Sequence, residues 1–150
     1  MTQDPHRPIA VDCFNACWEY IEKPDRTPDD DEAMRRLAEV SFWAWQQSPA
    51  CTPKQRAIGY WQLSRAYAIS GLGPQALRYA EKSLAAHAEG ALSDFYWGYA
   101  YEALARASLV CGNREACEAA LREARTRLTR VSDTEEHKAL EADLRTIGTE

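Results

Sequence analysis

Arg65 and Arg106 are the residues of this chain whose type and setting most favour recognition chemistry. On a helical wheel Arg65 shares a face with Ile58, Trp61, Gln62 and Ile69, and Arg106 with Phe95, Tyr99, Glu102 and Val110. A guanidinium pairs with a carboxylate through two parallel hydrogen bonds and stacks on aromatic rings. Two guanidinia beside Trp61 and Tyr99 therefore suit an anionic or carboxylate-bearing ligand. The competing arrangement is internal, with the arginines paired to Glu102 and their stems covering apolar surface. At this level both stand. Asn15 and Glu19, with Asp12 and Glu22, form a polar face bordered by Trp18. If that face lines the same concavity, its acids oppose the two arginines; otherwise it is solvated.

No catalytic arrangement joins these residues. His6, His87 and His137 are scattered, and none has a Ser, Cys or Asp arrangement suggesting a triad. His87 falls near a helix end, where the negative pole of the helix dipole favours imidazolium. There is no phosphate loop and no dinucleotide fingerprint. Cys13 and Cys17 stand one helical turn apart, which invites a metal reading, but they lie in the apolar stripe with Ala10, Tyr20 and Ile21. Buried cysteine behaves as a small hydrophobe. A closed zinc site needs four ligands, and no CxxC or histidine pair supplies the rest. No metal and no cofactor are expected. Cys111 and Cys117 flank a tight turn, and five cysteines on helices suit reduced thiols better than a disulfide framework.

Turn and cap signals divide the chain that holds these residues into seven helices. The first is expected from Pro8 to Glu22, closed by Lys23-Pro24 because the residue before proline resists the α conformation. Thr27-Pro28 opens the second, with Asp29, Asp30, Asp31 and Glu32 at the positive end of its dipole. Ser48-Pro49 ends it, and Thr52-Pro53 opens the third, which continues to Ser70. Pro74 starts the fourth, which runs to Ala88 and is broken by Gly90; Ser93 caps the fifth, 94–111. Gly112-Asn113 leads into the sixth, 114–130, and Ser132-Asp133-Thr134-Glu135 reads as a capping box for the seventh, ending near Ile147. No stretch sustains the alternation of a strand. The expected class is all-α.

Two of these helices carry related sequences, YWQLSRAYAISG at Tyr60–Gly71 and YEALARASLVCG at Tyr101–Gly112. A helix–turn–helix unit recurring at about forty residues is the mark of an α-solenoid. The first copy supplies Tyr60, Leu63, Ser64, Tyr67, Ala76 and Ala80; the second supplies Tyr101, Leu104, Ala105, Ser108, Ala116 and Ala120, with a turn one residue shorter. This pattern resembles the tetratricopeptide repeat, firmly over Ala57 to Ala124, and the whole chain looks like small bacterial repeat proteins. Ser108 replaces an expected ring, and both copies lack the usual closing proline. The resemblance implies a short right-handed solenoid in one domain: repeats at 8–47, 53–88 and 94–130, and a capping helix at 133–147. It also implies that the first helix of each repeat lines a concave face.

Charge and composition narrow the partners. A net charge of −5 without a dominant basic face argues against nucleic acid. The arginines of 122–130 look like a basic stripe until Glu118 and Glu123 are noticed four residues before Arg122 and Arg127, as in helical ion pairs. No apolar run approaches the roughly twenty residues of a membrane span. The start, MTQDPHRPIA, has no apolar signal core, so cytoplasmic residence is expected.

The expected function is that of a non-enzymatic binding module. It would hold a peptide or partner-protein segment against Trp61, Arg65, Tyr99, Glu102 and Arg106, with Asn15, Trp18 and Glu19 opposite. One alternative is a small-molecule pocket, with or without catalysis, on the same face. Another is a homodimer formed through the first two helices. In that reading Trp43, which lies opposite the main apolar face of its helix, supplies the contact; alternatively it is buried because that helix is sandwiched on two sides.

Overall fold

The computed structural model describes residues 3–148 and contains, among them, seven α-helices and no strand. They are α1 (His6–Ile21), α2 (Pro28–Gln47), α3 (Pro53–Ile69), α4 (Gly73–Gly90), α5 (Asp94–Val110), α6 (Arg114–Leu128) and α7 (Thr134–Arg145). No helix among the described residues is long and apolar enough to cross a membrane.

Local chemistry sets most helix ends. Thr27 Oγ1 accepts from the Asp30 backbone N–H at 3.1 Å, and Asp30 Oδ2 accepts from the Thr27 N–H at 3.0 Å, a reciprocal box that satisfies two orphan donors. Thr52 and Gln55 form the equivalent box on α3. The α1 helix starts two residues earlier than expected because Asp4 Oδ1 accepts from the N–H groups of His6 and Arg7 at 3.2 Å. At α7 the cap is Asp133, which accepts from Glu136 N–H at 2.9 Å, and not Ser132. Gly90 does not break α4. The helix runs through it and stops at Ala91, which takes a left-handed φ of 49°.

The two connectors between α3–α4 and α5–α6 are alike. Gly71 and Gly112 both have φ near +80°, the left-handed region that glycine adopts without a Cβ penalty. The N–H groups of Gly71 and Leu72 donate to Ala68 and Tyr67, as those of Gly112 and Asn113 donate to Leu109 and Ser108. The turns are therefore equal in length, contrary to the shorter second turn expected. Cys117, and not Ala116, takes the buried position corresponding to Ala76; Ala116 is partly exposed.

Packing follows chain order. The most extensive contacts join α1 to α2, α3 to α4 and α5 to α6; successive pairs meet through α2–α3 and α4–α5, and α7 packs on α5 and α6. The odd-numbered helices also touch, α1 on α3, α3 on α5 and α5 on α7. Ala66, Ala76, Ala80 and Ala107 are fully buried in the centre, where small side chains let helix backbones approach. Buried serines latch partners together: Ser41 Oγ donates to Ala10 O, Ser64 Oγ to Ala76 O and Ser83 Oγ to Ala57 O, at 2.7, 2.8 and 2.9 Å. Each bond satisfies a hydroxyl that would be costly to bury unpaired.

Candidate functional site

Helical spacing of four places Phe14 with Trp18 on α1 and Phe95 with Tyr99 on α5, while Ile58 and Trp61 lie three apart on α3. Because these helices touch, the rings converge on one cleft of about 240 Å³, completed by Ala57, Tyr96 and, from the end of α4, His87. Ring centroids are 5.3 Å apart for Trp18 and Trp61, 5.1 Å for Trp61 and Tyr99, and 5.1 Å for Phe95 and Tyr99. A second cleft of about 150 Å³, lined by Val11, Trp45, Gln55 and Gly59, shares Phe14 and Ile58 with the first. The two clefts adjoin at Phe14 and Ile58.

A buried polar network lies behind this wall. Trp61 Nε1 donates to Glu102 Oε2 at 2.7 Å, and Tyr99 Oη donates to Asp143 Oδ2 at 2.6 Å. Arg106 donates through Nε and Nη2 to Glu102 Oε1 at 3.0 and 2.8 Å, and through Nη2 to Thr146 Oγ1 at 2.7 Å. Arg65 Nη1 lies 3.7 Å from Glu102 Oε1 and 3.5 Å from Asp143 Oδ1. Its guanidinium carbon stands 5.8 Å from the centroid of the Trp18 ring. Glu102 is 0%, Arg106 1% and Arg65 7% exposed. Among the described residues, two cations there meet the carboxylates of Glu102 and Asp143.

Of the two arrangements open for the arginines, the internal pairing with Glu102 is the one present. The reason lies in the wheel. The faces of α3 and α5 opposite the repeat stripe are not free, because each helix is enclosed on both sides; even Gln62 is 1% exposed and donates to Phe14 O at 3.0 Å. Trp18, Trp61 and Tyr99 are brought together at the cleft, with Glu102, Arg65 and Arg106 one layer behind them. Asn15 and Glu19 are exposed, as are Asp12 and Glu22; they line neither cleft, and the acids opposite the arginines are Glu102 and Asp143.

No family model matches the chain, and no curated protein and no solved structure matches it. The site therefore rests on its own geometry.

Sequence reasoning missed Asp143 and the placement of His87. Asp143 lies in a helix read only as a cap, with nothing local to mark it. His87 is 2% exposed, its Nδ1 has no hydrogen-bond partner, and its ring lies 5.1 Å from that of Trp97. Burial, reinforced by the Arg127 charge, pulls its pKa down to about 4. Desolvation thus outweighs the helix-dipole attraction expected to favour imidazolium. The Tyr99 hydroxyl is pushed far above the usual phenol range, first by burial and then by its bond to Asp143.

Elsewhere, Arg127 pairs with Asp94 at 3.1 Å and stands over Trp97, in place of the helical pairing with Glu123 expected for it. Trp43 is 52% exposed, not sandwiched, and stands at 75° to the His6 ring with centroids 5.5 Å apart. Cys17 is buried with Sγ 3.4 Å from Met34 O, and burial raises its thiol pKa to about 12. Among the described residues no group of three or more His, Cys, Asp or Glu could hold a metal ion.

Proposed function

We propose that this chain is a non-enzymatic, tetratricopeptide-like binding module of the cytoplasm. Three helix pairs and a capping helix would hold a peptide or partner-protein segment along the groove of α1, α3 and α5. The observation that carries this reading is the pair of adjoining apolar clefts sharing Phe14 and Ile58. An extended or helical segment with two large apolar side chains can fill both, as recognition through spaced anchors requires. The repeat architecture is supported by the matching turns at Gly71 and Gly112 and by the contacts between odd-numbered helices. In such a stack the first helices of the pairs form the inner face.

In this reading Trp18, Trp61 and Tyr99 contact the ligand. Arg65, Glu102 and Arg106 hold the rings in place from behind. Display selection from a random peptide library tests it. Selected peptides are expected to share two bulky apolar residues at a fixed spacing, and Ile58→Arg should weaken them at least about ten-fold, the effect of a charge in an apolar contact. Recovery of no binder, or binding indifferent to Ile58→Arg, defeats the proposal.

A second reading, homodimerisation through α1 and α2, draws on the exposure of Trp43 together with Ile9 and Val40. Sedimentation equilibrium of the protein and of Trp43→Glu separates the two: a dimer abolished by the substitution supports this alternative, and a monomer rejects it.

A further inference from the structure

The larger cleft has the construction of a cation box. Successive walls are inclined to one another: Phe14 stands at 75° to Trp18, Trp18 at 45° to Trp61, Trp61 at 69° to Tyr99, and Phe95 at 85° to Tyr99. Two of the rings are polarised from behind, since the Trp61 N–H and the Tyr99 O–H each donate to a carboxylate. Donation to an anion pushes electron density into the ring and makes its faces more negative. No charged side chain lines the cleft, and His87 is held uncharged there. The nearest cations, Lys54 against the Tyr96 ring and Arg65 against the Trp18 ring, lie outside the lining. A bare ammonium would lose strong hydration in a lining that is mostly apolar. A methylated ammonium is weakly hydrated, apolar at its surface and positive at its centre, and it meets each of these conditions.

We propose that the cleft walled by Trp18, Trp61, Phe95 and Tyr99 binds a methylated ammonium group. This rests on the reading of the groove as a ligand site and names what occupies its larger cleft. The group can be the head of a choline-like small molecule or a methylated lysine of a bound segment. The chemistry recognised is the same in both. The neutral state of His87 is part of the design, because an imidazolium in the lining would repel the ligand.

The test compares choline with 3,3-dimethylbutan-1-ol, its neutral carbon isostere, using titration calorimetry and the tryptophan side-chain N–H signals in NMR spectra. Choline is expected to bind at least about ten-fold more tightly than the alcohol and to shift the Trp61 signal. Trp18→Leu should weaken choline by a similar factor while Trp18→Phe retains it, with thermal melts recorded for both; Phe95→Leu serves if Trp18→Leu fails to fold. A trimethyllysine peptide outcompeting choline assigns the group to a polypeptide, and the reverse order assigns it to a small molecule. Equal binding of choline and the alcohol overturns the box and leaves the groove a site for neutral apolar side chains. No binding of either at millimolar concentration also overturns it, while the peptide selection reports separately on the groove.

Discussion

Trp61 donates its indole N–H to Glu102, 41 residues further along the chain, and so ties the aromatic wall of the cleft to the ion pairs buried behind it. Glu102 is fully buried and also receives Arg106 and faces Arg65. With Asp143, which takes Arg65 of α3 and Tyr99 of α5, it is a carboxylate on which the two helices converge.

Glu102→Ala should therefore be among the most damaging substitutions in the protein. It removes the carboxylate that receives Arg106 Nε and Nη2 and faces Arg65, and breaking a buried pair costs about 3–5 kcal/mol. Urea unfolding followed by circular dichroism measures this. A loss below about 1 kcal/mol, the scale of an exposed pair, would show that the network contributes little to folding.

His87 should give stability a pH dependence of known sign. Its pKa is lowered from 6.5 to about 4 in the folded protein. Between those values the unfolded chain binds a proton that the folded chain refuses, so stability falls as pH drops through the window and is fully present above it. The slope from this one group is at most about 1.4 kcal/mol per pH unit. Unfolding free energies of the protein and of His87→Gln between pH 7 and pH 4.5 isolate it. An identical slope in the two proteins would exclude His87 as its source.

Ala91→Gly should stabilise the protein. Ala91 ends α4 with φ of 49°, where a Cβ is strained and glycine is not. Relief of that strain is worth about 1 kcal/mol, more than the entropy glycine adds to the unfolded chain. A lowered melting temperature would contradict the left-handed end assigned to α4.

Ala66→Leu and Ala107→Leu should each cost about 1–3 kcal/mol by overpacking. Both alanines are fully buried where α3 and α5 meet their neighbours. Thermal melts check it. Unchanged unfolding of both variants would mean the helix register is wrong.

Thiol reactivity should separate the cysteines by burial. Cys111 is exposed, whereas Cys17 is fully buried with its pKa raised to about 12. A thiolate-selective disulfide reagent should label Cys111 in the native protein and leave Cys17 until unfolding, because the thiolate is the reactive form. Native labelling of Cys17 would place it at the surface.

The parts legible in the sequence are those decided within a few residues. Thr27 and Thr52 announce helix starts because a hydroxyl, a proline and an acceptor three positions on satisfy a helix N-terminus locally. Gly71 and Gly112 announce turns because the left-handed backbone there admits a residue without a Cβ. The all-α class and the closeness of helices at Ala66, Ala76 and Ala80 follow from the same local grammar and from side-chain size. Trp61 and Tyr99 are recognisable as rings outside the repeat stripe, and Trp18 as the ring bordering the polar face of the first helix.

What surrounds those rings was settled by tertiary structure. Asp143 meets Arg65 across 78 residues only because α7 docks on α5. Arg65 and Arg106 lie inside because α3 and α5 are enclosed on both sides, and a helical wheel shows which residues share a face but not how many faces are covered. His87 is neutral for the same reason. A helix end attracts its charge, but the cost of desolvation depends on every element packed around it. Capping and turn chemistry are short-range and can be read along a chain; burial and the pairing of distant charges exist only once the chain has folded.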